Sequence, residues 1–232
     1  MTQKVTPLYE KKVECLFCND SFQTMRMRSR FIRVKHMDSD FYTEYKDSSL
    51  NPYFYEVDVC PTCGFASTEM FTADFPPGTM SVIEEQFRGW RRQDFGRERT
   101  VNDAIRTLKL GVLTATLKKE KHLVIAGLCL KLSWLFRMEG KKEQEQRFLK
   151  KALIHYKKSY EHSDYFGTTM TDMKMLYLIG ELSRRLGHEA DAIKYFSSVI
   201  QHKNKAFEQK IVEMAREQWY IIRNKEMSTA LI

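Results

Sequence analysis

Four of the five cysteines fall in two short pairs, Cys15-Leu-Phe-Cys18 and Cys60-Pro-Thr-Cys63. Together they supply four thiolates, the donor set that a tetrahedral Zn²⁺ ion takes. Each C-x-x-C lets two sulfurs converge from a tight turn. Gly64, directly after the second pair, has no Cβ to obstruct backbone amides turning toward the sulfurs. Four such ligands leave no open coordination position, so the chemistry expected of Cys15, Cys18, Cys60 and Cys63 is structural: the metal holds the fold and does not activate water. Thiol redox chemistry is the competing reading, because C-x-x-C also lowers a thiol pKa. A redox pair usually opens a helix in a βαβ setting, and neither pair here reads that way.

Other residues invite chemistry less strongly. His36, Asp38 and Asp40 could form a metal or acid/base cluster, but they lie in a turn sequence, where aspartate commonly bonds its own backbone. Arg26, Arg28 and Arg30 alternate along an expected strand, with Arg33 and Lys35 following. Such a strand beside a zinc knuckle can grip phosphates, or it can be a charged edge that blocks sheet aggregation. No Gly-rich phosphate loop, nucleophile elbow or His-Glu-x-x-His segment is present, and the chain is expected not to be an enzyme. Cys129 lies in the apolar run Leu123 to Leu130, where a buried, inert thiol is expected.

The chain has 232 residues, 43% hydrophobic and 29% charged, the composition of a soluble protein with a real core. Its first residues contain no apolar signal-like region, and the run at 123–130 is too short to span a bilayer, so a cytoplasmic protein without membrane partners is expected. An odd cysteine count with four in metal-type pairs speaks against a secreted disulfide framework. The net charge of +8 is uneven: residues 1–64 carry nine basic against nine acidic side chains, residues 65–100 five against six, and residues 101–232 carry 24 against 15. A basic C-terminal part suits acidic peptides first and nucleic acid second.

The elements that must position the thiols read as an α+β chain. Residues 30–35 and 53–59 have strand composition, separated by turn chemistry at Asp38-Ser39-Asp40, Asp47-Ser48-Ser49 and Asn51-Pro52. The second strand runs into Cys60, which suggests a zinc-ribbon-like antiparallel sheet with both knuckles at one end. Phe75-Pro76-Pro77-Gly78 continues neither strand nor helix, placing a boundary between a zinc module, 1–78, and a helical domain, 79–232. Helix starts are read at Ser81 with Glu84 and at Thr100 with Asp103. Further helices are expected at 122–138, 143–161, 171–186, 189–202 and 205–225, with Gly140 and Gly187 after two of them.

Within the helical half, Leu176, Ile179, Gly180, Ser183, Gly187, Ala192, Phe196 and Val199 follow a spacing that resembles the tetratricopeptide repeat. Cys129, Leu132, Ser133, Phe136, Gly140, Ala152, Tyr156 and Ser159 form an earlier copy. That resemblance implies a groove lined by Gly127, Leu130, Trp134 and Arg137 from one helix and Lys174, Tyr177, Glu181 and Arg184 from another. Such a face would take a protein or peptide partner with an acidic segment, or else close against the zinc module.

The chain as a whole resembles an uncharacterised bacterial family, a domain of unknown function that joins split cysteine pairs to tetratricopeptide-like helices. The residues that carry this are the two cysteine pairs, Arg28-Ser29-Arg30, Asp38-x-Asp40-Phe41, Asn51-Pro52, Gly64-Phe65, Phe75-Pro76-Pro77-Gly78-Thr79, Asp94-Phe95-Gly96-x-Glu98-Arg99 and Lys118-Lys119-Glu120-Lys121-His122. The resemblance implies no activity. The expected function is that of a non-enzymatic zinc-binding adaptor; a zinc-ribbon nucleic-acid binder and a thiol-based redox or metal sensor are the alternatives.

Overall fold

A computed structural model of the protein describes the backbone of residues 5–230 and the side chains of residues 5–224. The N-terminal part consists of three antiparallel strand pairs. β1 (Leu8–Glu14) pairs with β2 (Ser21–Met27), β3 (Val34–Met37) with β4 (Thr43–Tyr45), and β5 (Asp58–Val59) with β6 (Ala66–Ser67). Seven α-helices follow among the described residues: α1 (Thr79–Phe87), α2 (Val101–Lys118), α3 (His122–Met138), α4 (Lys142–His162), α5 (Asp172–Arg185), α6 (Glu189–Ile200) and α7 (Gln209–Ala230). The architecture is therefore mixed α+β, with small strand pairs first and a mostly helical C-terminal part.

The strands differ from the sequence expectation for local reasons. Residues 29–31 form one turn of 3₁₀-helix, which ends the run of alternating arginines at Met27. Residues 52–55 do the same, because Asn51 Oδ1 accepts the Tyr53 amide at 2.9 Å and Pro52 sits at the first helical position. An Asn cap followed by proline starts a helical turn more readily than it continues a strand. Only Asp58 and Val59 of the expected second strand pair as one.

Helix ends follow the capping chemistry. Thr100 accepts the Asp103 amide at 3.2 Å while Asp103 accepts the Thr100 amide at 3.1 Å, the reciprocal box that opens α2. Ser81 does not open α1. It lies inside the helix and donates to the carbonyl of Gly78, the actual N-cap. The helices pack chiefly on sequence neighbours, α3 on α4 and α5 on α6. At the second crossing an added Cβ on Gly180 would lie 2.9 Å from the Phe196 ring, so only glycine lets these helices approach this closely.

Residues on both sides of the Phe75–Gly78 stretch share one core, which runs from Cys15, Val57 and Phe65 through Ile83 and Leu108 to Leu132 and Leu182. Buried polar groups fasten the two parts. Arg99, from the loop before α2, donates to the carbonyls of Phe95 (2.8 Å), Phe54 (3.0 Å) and Val57 (2.8 Å) and to Thr24 Oγ1 (3.2 Å). The fully buried Lys118 donates to the carbonyls of Thr72 and Asp74 and to the equally buried Glu120 carboxylate at 2.6 Å. The nitrogens of these two cations are thus turned on acceptors of the N-terminal segment, on the Phe95 carbonyl and on Glu120.

Candidate metal centre

The two cysteine pairs sit on equivalent turns. Cys15 N donates to Asp20 O and Asn19 N to Cys15 O, each at 2.9 Å; Cys60 N donates to Phe65 O and Gly64 N to Cys60 O at the same distance. Both turns need a left-handed residue after the second cysteine, supplied by Asn19 (φ 60°) and Gly64 (φ 78°). Glycine adopts this conformation freely, and asparagine is among the residues that tolerate it. At Gly64 a Cβ would also fall 2.5 Å from the Trp90 ring, whose Nε1 donates to Pro61 O at 3.1 Å and covers the knuckle. Thr62 donates to the Asp20 carboxylate across the two turns.

The four Sγ atoms lie within 4.8 Å of one another, with Cys15 to Cys63 at 3.6 Å and Cys18 to Cys60 at 3.7 Å. A tetrahedron with zinc–sulfur bonds of about 2.3 Å has sulfur–sulfur edges of about 3.8 Å, so these separations fit a metal ion, and they far exceed a disulfide bond of about 2.05 Å. Cys15 and Cys60 are buried, Cys63 is half-buried and Cys18 is exposed. Backbone amides of Phe17 and Cys18 favour the charged form of the Cys15 thiol, that of Asp20 does so for Cys18 and that of Phe65 for Cys63. Such donors stabilise thiolate charge.

Without a metal, Cys15, Cys18 and Cys63 are pushed in opposite directions. The hydrogen bond from Cys63 draws Cys15 down to about 5 against the opposing effect of burial. The same bond pushes Cys63 up, and burial raises Cys18 to about 11. Four sulfurs converging at these separations are a donor set that a divalent cation would hold together. Neither pair opens a helix: Cys18 leads into β2 and Cys63 into β6. Cys129 is fully buried in α3, and burial pushes its thiol up to about 12, as an inert core residue requires.

The basic segment disperses. Arg26 makes a bidentate pair with Asp58 (2.7 and 2.6 Å) and a bond to Tyr55 O, so it joins β2 to β5. The Arg28 guanidinium lies over the Tyr9 ring at 4.7 Å, its buried Nε lacking a hydrogen-bond partner, and Arg30 lies over Phe31. His36 contacts Asp38 at 3.1 Å, whereas Asp40 turns away into the helices.

The helical face expected to form a groove is filled by this chain's own turn. Trp134 Nε1 donates to Asp40 Oδ2 at 3.1 Å. Arg137 reaches Asp40 at 2.6 Å, Asp38 at 3.0 Å and Glu145 at 2.7 Å. Tyr177, fully buried, donates to Ser39 O at 2.7 Å and meets the Phe41 ring at 5.5 Å. Glu181, also fully buried, accepts from Ser39 Oγ at 2.6 Å, from Arg184 at 2.7 and 2.8 Å and from Arg185 at 2.7 Å. Lys174 is half-buried on the same helix. Leu130 and Gly127 lie beside this contact and line a small apolar cleft of about 180 Å³ with Met70 and Met170. Trp134, Arg137, Tyr177, Glu181 and Arg184 are thus engaged within the molecule, which corrects the expectation of an open partner-binding groove. The physical reason is a complementary acidic turn, Asp38 to Phe41, carried by the same chain. Arg185, a central donor of this network, was not anticipated; its only sequence signal is its position next to Arg184.

No helix among the described residues is long and apolar enough to cross a membrane. No curated protein and no solved structure matches the chain. A family model described as an uncharacterized protein conserved in bacteria (DUF2225) matches residues 8–222. That span takes in both cysteine knuckles, the docked turn and all the helices up to most of α7, and the chain accordingly belongs to this uncharacterised bacterial family.

Proposed function

We propose that the protein is a non-enzymatic, cytoplasmic scaffold in which a structural Zn²⁺ ion ties the β1–β2 turn to the β5–β6 turn, forming an N-terminal module that docks on a tetratricopeptide-like stack of helices. The helical part then engages a protein partner that carries an acidic segment. The observation that carries the metal reading is the closed quartet of Cys15, Cys18, Cys60 and Cys63, with separations of 3.6 and 3.7 Å that match a zinc tetrahedron. All four donors are soft thiolates, which favours zinc among common cellular cations, and no position is left for a substrate water. The tetratricopeptide-like part of the reading is supported by the consecutive helix pairs and by the close approach at Gly180 and Phe196. The partner part is supported by the basic excess of residues 101–232.

Elemental analysis of protein purified without chelator tests the metal: one zinc per chain is expected, and iron or no metal would overturn it. Affinity capture from the native host followed by mass spectrometry tests the scaffold role, with a reproducible protein partner as the expected result.

A further inference from the structure

The turn in the helical face is built like a bound ligand. Asp38, Ser39, Asp40 and Phe41 insert between α3 and α5, and each presents a specific group to a specific receptor. Asp40 meets Trp134, Arg137 and Arg185; Ser39 meets Glu181, Tyr177 and Arg185; Phe41 meets the Tyr177 ring. The Tyr42 ring meets that of Trp134 at 6.0 Å, tilted by 50°. The helices contribute Arg137, Arg184 and Arg185 against Glu145 and Glu181, three positive charges to two negative, so the face without its turn is net positive. The turn brings two carboxylates to it.

Buried ion pairs of this kind give specificity more readily than stability, because well-packed apolar side chains fill the same volume at least as well. Outside that face the stalk is held through β4, where the Tyr53 hydroxyl accepts the Thr43 amide at 3.1 Å and the Tyr53 ring meets those of Tyr42 and Tyr45, while β3 is held by β4 alone among the strands. All four residues of β3 are exposed, β3 and β4 form a two-stranded sheet joined to no other strand, and two strands alone are marginal in water. Phe41 is held at φ 65°, a left-handed conformation that strains a bulky L-residue and is kept only by what surrounds it.

We infer that the α3–α5 face is a recognition site for Asp-x-Asp-aromatic segments, that the Asp38–Phe41 turn is its resident intrachain ligand, and that a partner protein's segment of the same chemistry binds by replacing it. This deepens the scaffold reading and rests on it. Electrostatic pairing selects the acidic residues, and the Tyr177 ring selects the aromatic that follows, with Trp134 meeting the ring one residue further on.

The probe is a fluorescein-labelled peptide of residues 36–43, His-Met-Asp-Ser-Asp-Phe-Tyr-Thr, titrated against the full, metal-loaded chain by anisotropy. A chain with Asp38→Ala and Asp40→Ala has lost its resident carboxylates and is expected to bind the peptide at least tenfold more tightly than the wild type. Adding Arg137→Ala is expected to reverse that gain, and raised salt is expected to weaken binding. Hydrogen exchange on the wild type gives a second measurement that needs no variant. Excess peptide is expected to speed exchange of amides 36–43 while α3 and α5 keep their protection. A folded double variant that binds no more tightly than wild type, or wild-type hairpin amides indifferent to saturating peptide, overturns the inference. If a partner is captured from the host while the peptide fails both tests, the scaffold reading stands and this recognition site falls.

Discussion

Arg137 on α3 and Asp40 in the turn after β3 are 97 residues apart in the chain, and their side chains meet at 2.6 Å with the aspartate fully buried. The pair couples the β3–β4 turn to the helices and uses none of the thiol quartet. Charge thus fastens the turn to the helices here, as Arg99 and Lys118 fasten other N-terminal segments, while sulfur draws the strand pairs to one another.

The charge fastening sets an acid limit. Burial raises the Asp40 carboxyl, but the hydrogen bond from Arg137 and the charges of Arg185 and Arg137 outweigh it and hold the group below its usual range. A carboxylate with a depressed folded pKa contributes stability that is present above the unfolded pKa of about 4 and is lost as pH falls through the folded value. Asp40→Ala leaves Arg137 and Trp134 without their partner and is expected to cost about 3–5 kcal/mol in urea unfolding at pH 7. The difference from wild type should shrink below pH 4; a difference unchanged down to pH 2 would remove Asp40 from this role.

A second pH dependence comes from the far end of α3. Burial first, then the charges of His122, Lys158 and Lys151, lower the His155 imidazole from 6.5 to about 4, and its Nδ1 lies 3.0 Å from that of His122. A histidine whose folded pKa is depressed folds best neutral, so its contribution is present above pH 6.5 and is lost as pH falls from 6.5 toward 4. Because the ring is only half-buried, about 1 kcal/mol is expected after solvent screening, or roughly 2–4 °C in Tm. His155→Leu should flatten the Tm profile between pH 7 and 5. An unchanged slope would assign that dependence to other groups.

Arg99 is expected to be the most sensitive cation outside the turn network. Burial lowers its guanidinium to about 10, still charged at neutral pH, and its donors satisfy three buried carbonyls. Arg99→Met keeps the aliphatic volume but strands the carbonyls of Phe54, Val57 and Phe95, and is expected to destabilise by roughly 3–5 kcal/mol. Equilibrium denaturation measures this directly, and a loss under 1 kcal/mol would show that water replaces the guanidinium.

Cys63→Ser tests the sulfur fastening. Removal of one thiolate is expected to release the metal and to unfold the strand pairs around residues 8–27 and 58–67. Zinc–thiolate free energies of roughly 10–16 kcal/mol in small zinc-folded peptides exceed what short two-stranded sheets supply. Cys129→Ser, in contrast, should leave metal content at one per chain. Elemental analysis distinguishes the two variants; equal metal content in both would exclude Cys63 as a ligand.

The sequence by itself determined the helices and the sulfur quartet, because both depend on near neighbours in the chain. Helical periodicity and capping placed α3 at 122–138 and α2 after Thr100, with Gly140 and Gly187 just beyond two helix ends at φ 66° and 79°. C-x-x-C spacing with a following left-handed residue made each knuckle locally, and an even pair of knuckles had only each other to meet. The strand expected at 53–59 gave way to a 3₁₀ turn because Asn51 caps it. Tertiary structure alone decided the fate of the basic helical face. Its side chains were legible as a surface for an acidic segment, but nothing local says that Asp40 reaches Arg137 across 97 residues or that Ser39 reaches Glu181 across 142. Which acidic segment fills a positive face is settled by which one the packed core brings within a hydrogen bond of it, and here the core brings the chain's own.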